Sequence, residues 1–102
     1  MLFIEDPDFS KERDDMLSED EFLRLQLWLT AHPASGDVIR HSGGCRKLRW
    51  AIKGRGKRGG ARVIYFYRLS ASQILLLKIY AKTNKQDLTP VEIVRLKQKA
   101  KP

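Results

Sequence analysis

Cysteine and histidine are scarce in this sequence. Cys45 is the single cysteine and there are two histidines, so neither an internal disulfide nor a cysteine-rich metal cluster can form. His41 and Cys45 lie four residues apart, but two candidate ligands without further Cys or His nearby are usually incidental. We therefore predict no metal and no cofactor, with Cys45 as a small packing residue.

A long apolar run is also missing. The longest apolar stretches are too short to cross a bilayer, and the residues MLFIEDPDF have neither the basic nor the apolar region of a secretory signal. These absences predict a cytoplasmic protein without a membrane partner. With 102 residues, 42% hydrophobic and 31% charged, the chain has the size and composition of one compact domain over residues 1–102.

Carboxylates are missing from the whole stretch between Asp37 and Asp87. The net charge is +8; nine of the twelve acids lie within residues 1–21, whereas thirteen of the twenty Lys and Arg lie in the acid-free stretch. Such a charge distribution suits a polyanion such as nucleic acid. A merely solvated strand face is the alternative, but the lack of any balancing carboxylate favours the polyanion.

The two ends of the chain carry clear helix and strand signals. Residues LFIE (2–5) predict a strand and residues 8–17 a short helix. The stretch SEDEFLRLQLWLTAHP predicts an amphipathic helix, which begins at a capping box of Ser18 and Glu21 and ends against Pro33. Residues 34–44 predict a connection. Near the end, Thr89 as N-cap, Pro90 and Glu92 predict a short C-terminal helix.

Three apolar segments, 46–53, 61–69 and 73–81, predict an antiparallel meander of strands, because alternation or β-branched and aromatic residues fill them. The predicted fold class is therefore α+β. One face of each strand is richer in basic groups. Strict alternation predicts these sets: Lys47, Arg49 and Lys53; Arg62, Ile64, Phe66 and Arg68; and Leu76, Lys78, Tyr80 and Lys82, with Leu75, Leu77 and Ile79 on the other side.

Gly54, Gly56 and Gly59 have the spacing G-x-G-x-x-G of a dinucleotide-binding loop. That motif must join a strand to a helix, whereas here it joins two predicted strands. A Walker A loop is excluded as well, because Lys57 is followed by Arg58 and not by Ser or Thr. We predict a basic hairpin loop, KGRGKRGG, that faces a phosphate chain.

The run GDVIRHSGGCRKLRW leading into GRGKRGGARVIYFY, together with LLLKIYAKTNKQDLTPVE and the element order, resembles the RelE/HigB-type toxins of bacterial type II toxin–antitoxin modules, most closely the HigB-like branch. The resemblance covers nearly the whole chain and is most specific in residues 36–67. It implies a small RelE-like domain with strand–helix–helix, a three-stranded meander and a C-terminal helix. It also implies a ribosome-dependent endoribonuclease, an mRNA interferase, which cleaves message in the ribosomal A site beside 16S rRNA and so inhibits translation.

Further implications of the resemblance concern partners and site residues. A cognate helix-turn-helix antitoxin is expected to hold the toxin inactive, and the complex would bind promoter DNA only through that antitoxin. Neither His32 nor His41 lies on the basic strand face, and the family typically uses a cluster of Lys and Arg, where cationic neighbours make a lysine usable for proton transfer. The family's basic residues fall on Lys47, Arg49 and Arg62, with Lys82 near a fourth position.

We assign Lys47 to proton transfer, and Arg49 and Arg62 to holding the scissile phosphate. The remaining RNA-binding candidates are Arg46, Lys53, Arg55, Lys57, Arg58, Tyr80 and Lys85. Two departures stand out: Thr83 replaces an arginine that some members carry, and the C-terminal stacking tyrosine of some members is absent. Tyr80 is a candidate for base stacking, although a sheet tyrosine more often packs in a core. The alternatives are a homologue without activity and a non-catalytic basic protein that binds RNA or the ribosome.

Overall fold

The computed structural model describes residues 1–52, 60–83 and 87–101. Its elements, in chain order, are strand β1 (Leu2–Glu5), helices α1 (Pro7–Met16) and α2 (Glu19–Ala31), strands β2 (Asp37–Val38), β3 (Arg46–Trp50), β4 (Ala61–Arg68) and β5 (Gln73–Ala81), and helix α3 (Pro90–Ala100). A short 3-10 turn over Leu69–Ala71 joins β4 to β5. The predicted α+β class and element order are confirmed.

The helices begin where local capping chemistry allows them to begin. The Ser18 hydroxyl accepts a hydrogen bond from the Glu21 backbone N–H, and the Glu21 carboxylate accepts one from the Ser18 N–H. Thr89 and Glu92 form the same reciprocal pair at the start of α3. Each capping box satisfies backbone donors that the first helical turn leaves without partners, so both predicted helix starts are confirmed.

The five strands form one mixed sheet in the order β1-β5-β4-β3-β2. Strands β3, β4 and β5 pair antiparallel, as the meander prediction requires. Two features of the sheet were not predicted. Strand β1 pairs parallel to β5, and the predicted connection over 34–44 contains the two-residue strand β2, which pairs antiparallel with β3. Within the described ranges, no helix is long and apolar enough to span a membrane.

Each face of the sheet carries its own core. On one face, Phe9 of α1 and Leu25 and Leu29 of α2 are fully buried against strand residues that include Val63 and Tyr65. On the other face, α3 packs through Leu96 and Ala100. Their buried partners are Cys45, Ile64, Leu77 and Tyr80. Helix α3 is the single described helix on this second face, and Arg49 of β3 remains exposed beside it.

A β-bulge in β5 corrects the predicted alternation of that strand. Ile64 is opposite Lys78, but the next residue of β4, Tyr65, is opposite Leu76, so Leu77 is an extra residue. Beyond a bulge the side chains change face. Leu76 therefore lies in the core under α1 and α2, whereas Leu75 and Leu77 join the core under α3. The prediction that Leu76 shares a face with Lys78 is wrong.

Candidate nucleic-acid interface

The strand register places two rows of side chains across the sheet face that packs against α3, which we call the basic face. In the arginine row, Arg49 of β3 is opposite Arg62 of β4, which is opposite Tyr80 of β5. In the adjacent row, the lysine row, Lys47 of β3 is opposite Ile64 of β4, which is opposite Lys78 of β5. Residues two apart on a strand share a face. Lys47, Arg49 and Arg62, which were predicted from the resemblance to act together, are thus brought onto one surface.

The pairing of Arg49 with Arg62 sets two like charges directly opposite each other, an arrangement that destabilises a sheet. Arg49 is exposed and Arg62 is half-buried. The Arg62 guanidinium donates to the Ala61 carbonyl at 3.3 Å. Among residues 1–52, 60–83 and 87–101, neither guanidinium forms an ion pair with a carboxylate. The two charges are therefore available to an anion from outside the protein.

Two carboxylates that the sequence did not predict at this site reach the basic face from the C-terminal part of the chain. The Asp87 carboxylate lies 3.9 Å from the Lys47 ammonium, and the Glu92 carboxylate lies 3.7 Å from the Lys78 ammonium. Asp87 is largely exposed, whereas Glu92 is half-buried. Both contacts are long for ion pairs. The lysine row is therefore partly compensated by negative charge, while the arginine row is not.

Tyr80 occupies the inner end of the arginine row. Tyr80 is 7% exposed, and its ring packs with Ile64 and Leu96 in the core under α3. This placement favours core packing over the predicted role as a platform for base stacking. Burial raises the pKa of the Tyr80 phenol; the charge of Asp87 raises it further, whereas the charge of Arg62 lowers it.

Arg46, a predicted RNA-binding residue, lies on the opposite face of the sheet from Lys47. Its guanidinium donates hydrogen bonds to the carbonyls of Ala34 at 3.2 Å and Gly36 at 2.7 Å. Adjacent residues of a strand point to opposite faces, so the side chain cannot join the row that contains Lys47. In this position Arg46 fastens the connection between α2 and β2 to the sheet.

Several other predicted residues have simple placements. Lys82 is exposed directly after β5, and its backbone N–H donates to the Gly60 carbonyl at 3.3 Å. Thr83 is also exposed. Apart from Gly60, the predicted hairpin loop lies outside the described residues. So do five of the RNA-binding candidates: Lys53, Arg55, Lys57, Arg58 and Lys85.

Cys45 is fully buried, and its thiol lies 3.8 Å from the Leu96 carbonyl oxygen. Burial raises the pKa of this thiol, which keeps it protonated and unreactive. His41 is exposed and has a positive φ of 65°. The packing role predicted for Cys45 is thus the role it has in the core under α3.

Comparison with solved structures shows the fold first. The fold is similar to that of a free-state Escherichia coli RelE toxin carrying two arginine-to-alanine substitutions, with a TM-score of 0.60 and 14% identity over 92% of this chain and 94% of that one. It is also similar to a chain of the intact E. coli RelBE toxin–antitoxin complex, with a TM-score of 0.56 and 13% identity over 76% of this chain and 92% of that one.

The family follows from the sequence. Residues 9–102 match the family model described as the RelE toxin of the RelE/RelB toxin–antitoxin system. The chain belongs to this family, and it is a toxin of a toxin–antitoxin system.

Proposed function

We propose that this protein is a ribosome-dependent endoribonuclease that cleaves messenger RNA in the ribosomal A site. Membership of the RelE toxin family supports the class of activity. The observation that carries the proposal is the row formed by Arg49 and Arg62, two adjacent guanidinium groups without carboxylate partners among the described residues. Guanidinium groups form bidentate hydrogen bonds with phosphate, so such a pair suits a scissile phosphodiester.

The proposed chemistry uses the nucleophile that RNA itself contains. The 2′-hydroxyl attacks the adjacent phosphorus and gives its proton to Lys47, and the bond to the 5′-oxygen breaks as that oxygen takes a proton from solvent. The products are a 2′,3′-cyclic phosphate and a 5′-hydroxyl. Lys47 serves proton transfer at the 2′-oxygen, while Arg49 and Arg62 stabilise charge on the phosphoryl oxygens. Lys82, exposed at the end of β5, extends the positive surface along the RNA backbone.

Partners follow from the same proposal. A cognate antitoxin of the helix-turn-helix type neutralises the toxin, and promoter DNA is bound only through it. The A site with its 16S rRNA positions the message, because a cluster without a strong general base depends on orientation of its substrate. We place the chain in the HigB-like branch on the basis of residues 36–67, and in the cytoplasm, where ribosomes are found.

The test is a cell-free translation reaction on a defined message, with cleavage mapped by primer extension. Wild type, Arg62→Ala and Arg24→Ala are compared with and without ribosomes. Arg24 is the matched control, because it is an exposed arginine that pairs with Asp20 on α2, away from the basic face. Cuts that need ribosomes, vanish with Arg62→Ala and persist with Arg24→Ala support the proposal. Stalled translation on intact message would instead indicate a ribosome-binding inhibitor without nuclease activity.

A further inference from the structure

The Tyr80 hydroxyl is buried and has no hydrogen-bond partner among the residues that the structure describes. The other buried tyrosine shows what is missing. The Tyr65 hydroxyl donates to the Pro33 carbonyl and accepts from the Gly36 N–H, both at 2.9 Å. A buried polar group without a partner costs about 1–3 kcal/mol, and native structures contain few of them. Within the described part of the chain, the Tyr80 hydroxyl therefore has no hydrogen-bond partner of the kind that the Tyr65 hydroxyl has.

The position of Tyr80 indicates what that partner is. Tyr80 is directly opposite Arg62, and Arg62 is directly opposite Arg49. Side chains opposite each other on adjacent strands have their Cβ atoms roughly 5 Å apart, so the row brings together two guanidinium groups and one buried phenol from three consecutive strands. All three groups donate hydrogen bonds, and an anion with several oxygens can accept from all of them.

The surroundings keep the phenol in its donating form. Burial is the main reason that its pKa is raised, and the nearby negative charges of Asp87 and Glu92 raise it further. Asp87 brings a carboxylate close to this site, but its side chain is 83% exposed and its contact with Lys47 is 3.9 Å long. An exposed ion pair of this kind is weak, so a phosphate can displace Asp87.

We propose that the Tyr80 hydroxyl donates a hydrogen bond to a non-bridging oxygen of the RNA phosphate that Arg49 and Arg62 hold. The substrate then supplies the partner that the hydroxyl lacks. Tyr80 acts through its hydroxyl at the phosphate, and its ring stays packed under α3. This inference rests on the proposed function for the identity of the phosphate, and it adds a substrate-contacting residue to that site.

The experiment compares wild type with Tyr80→Phe, which removes only the hydroxyl. Tyr67→Phe is the matched control, because Tyr67 is half-buried against the core on the other face of the sheet. The probe is a short single-stranded RNA with methylated 2′-hydroxyls, titrated at low salt, where phosphate contacts are strongest. Thermal unfolding of each protein and cleavage in the translation reaction are measured alongside.

We expect Tyr80→Phe to weaken probe binding about tenfold, as for a hydrogen bond to a charged group, and to slow cleavage. Its unfolding temperature should equal or exceed that of wild type, since a hydroxyl with a purely structural role would lower stability on removal. Equal probe affinity of wild type and Tyr80→Phe overturns the inference, and so does a wild type that binds no probe. If Tyr80→Phe weakens the probe but wild type cuts no message, the inference stands and the proposed nuclease function fails.

Discussion

Arg49 and Arg62 are direct cross-strand neighbours in β3 and β4, on the sheet face that α3 only partly covers. A sheet gains no stability from two opposed positive charges. Replacing either arginine should therefore change the free energy of unfolding by less than about 0.5 kcal/mol. Under the proposed mechanism, cleavage of message should nevertheless fall at least about a hundredfold, because each guanidinium would stabilise charge that develops on the phosphate.

Urea unfolding and primer extension on Arg49→Ala and Arg62→Ala check this first prediction. Arg62→Lys keeps the charge but loses the bidentate geometry, so it should restore only part of the activity. A modest and equal loss for every arginine of the face would contradict the prediction, since that pattern belongs to binding by diffuse charge.

Arg46 gives the opposite pattern in the second prediction. Its guanidinium holds the carbonyls of Ala34 and Gly36, so Arg46→Ala should lower the free energy of unfolding by about 1–3 kcal/mol. Cleavage well below the unfolding temperature should stay near the wild-type rate, because the side chain points away from the basic face. Arg40→Ala, at an exposed position between β2 and β3, serves as control and should change neither quantity. An intact stability with lost cleavage would return Arg46 to the RNA-binding surface.

The parts of the fold that the sequence predicts best are those set by local chemistry. The capping pairs at Ser18 and Thr89 involve residues three apart, and the alternation in RKLRW is visible without knowledge of neighbours. The parallel pairing of β1 with β5 depends instead on residues about seventy positions apart, which no local pattern encodes. The short strand β2 is likewise defined by its partner β3 and not by its own two residues.

The site was predictable to a similar extent. Strand alternation and the family resemblance together place Lys47, Arg49 and Arg62 on one face. Five apolar residues in the run ILLLKI, however, conceal the bulge at Leu77, because either face of such a run can be buried. Asp87 and Glu92 were missed because they approach the lysines only after α3 folds back onto the sheet. The one sequence signal at Glu92 was its capping box with Thr89, which indicates a helix start and not the neighbours of that helix.

The third prediction concerns the ion pairs of Lys99, which tie α3 to the start of α1. The ammonium lies 2.8 Å from the Asp6 carboxylate and 2.6 Å from the Asp8 carboxylate. Burial by itself lowers the pKa of Lys99, but the two carboxylates outweigh it and raise the pKa above its ordinary value of 10.5. The hydrogen bond and charge of Lys99 lower the pKa of Asp8 below its ordinary value of 3.8.

These two shifts have opposite consequences for stability. A lowered carboxyl pKa stabilises the fold above the unfolded pKa of 3.8. This stabilisation is lost as the pH falls through the lower folded pKa. A raised lysine pKa stabilises the fold below the unfolded pKa. This stabilisation is lost as the pH rises through the higher folded pKa. Lys99→Gln should therefore cost roughly 1 kcal/mol near neutral pH and remove part of the decline at both extremes. Urea unfolding from pH 2.5 to 11 measures this, with Lys97→Gln, an exposed position on the same helix, as control; parallel curves for wild type and Lys99→Gln would refute it.

The fourth prediction treats Asp87 as an internal competitor of the RNA phosphate. Its carboxylate approaches Lys47 at 3.9 Å from a largely exposed position, so the pair adds little to stability. Asp87→Asn should leave the unfolding temperature unchanged and raise the affinity for a 2′-O-methylated single-stranded RNA about two- to threefold at low salt, with a smaller gain at high salt because exposed charges are screened. Glu12→Gln removes one negative charge from an exposed position on α1, which packs on the other face of the sheet, and should raise the affinity less. A fall in affinity with Asp87→Asn would show that the carboxylate positions Lys47 for the substrate and does not compete with it.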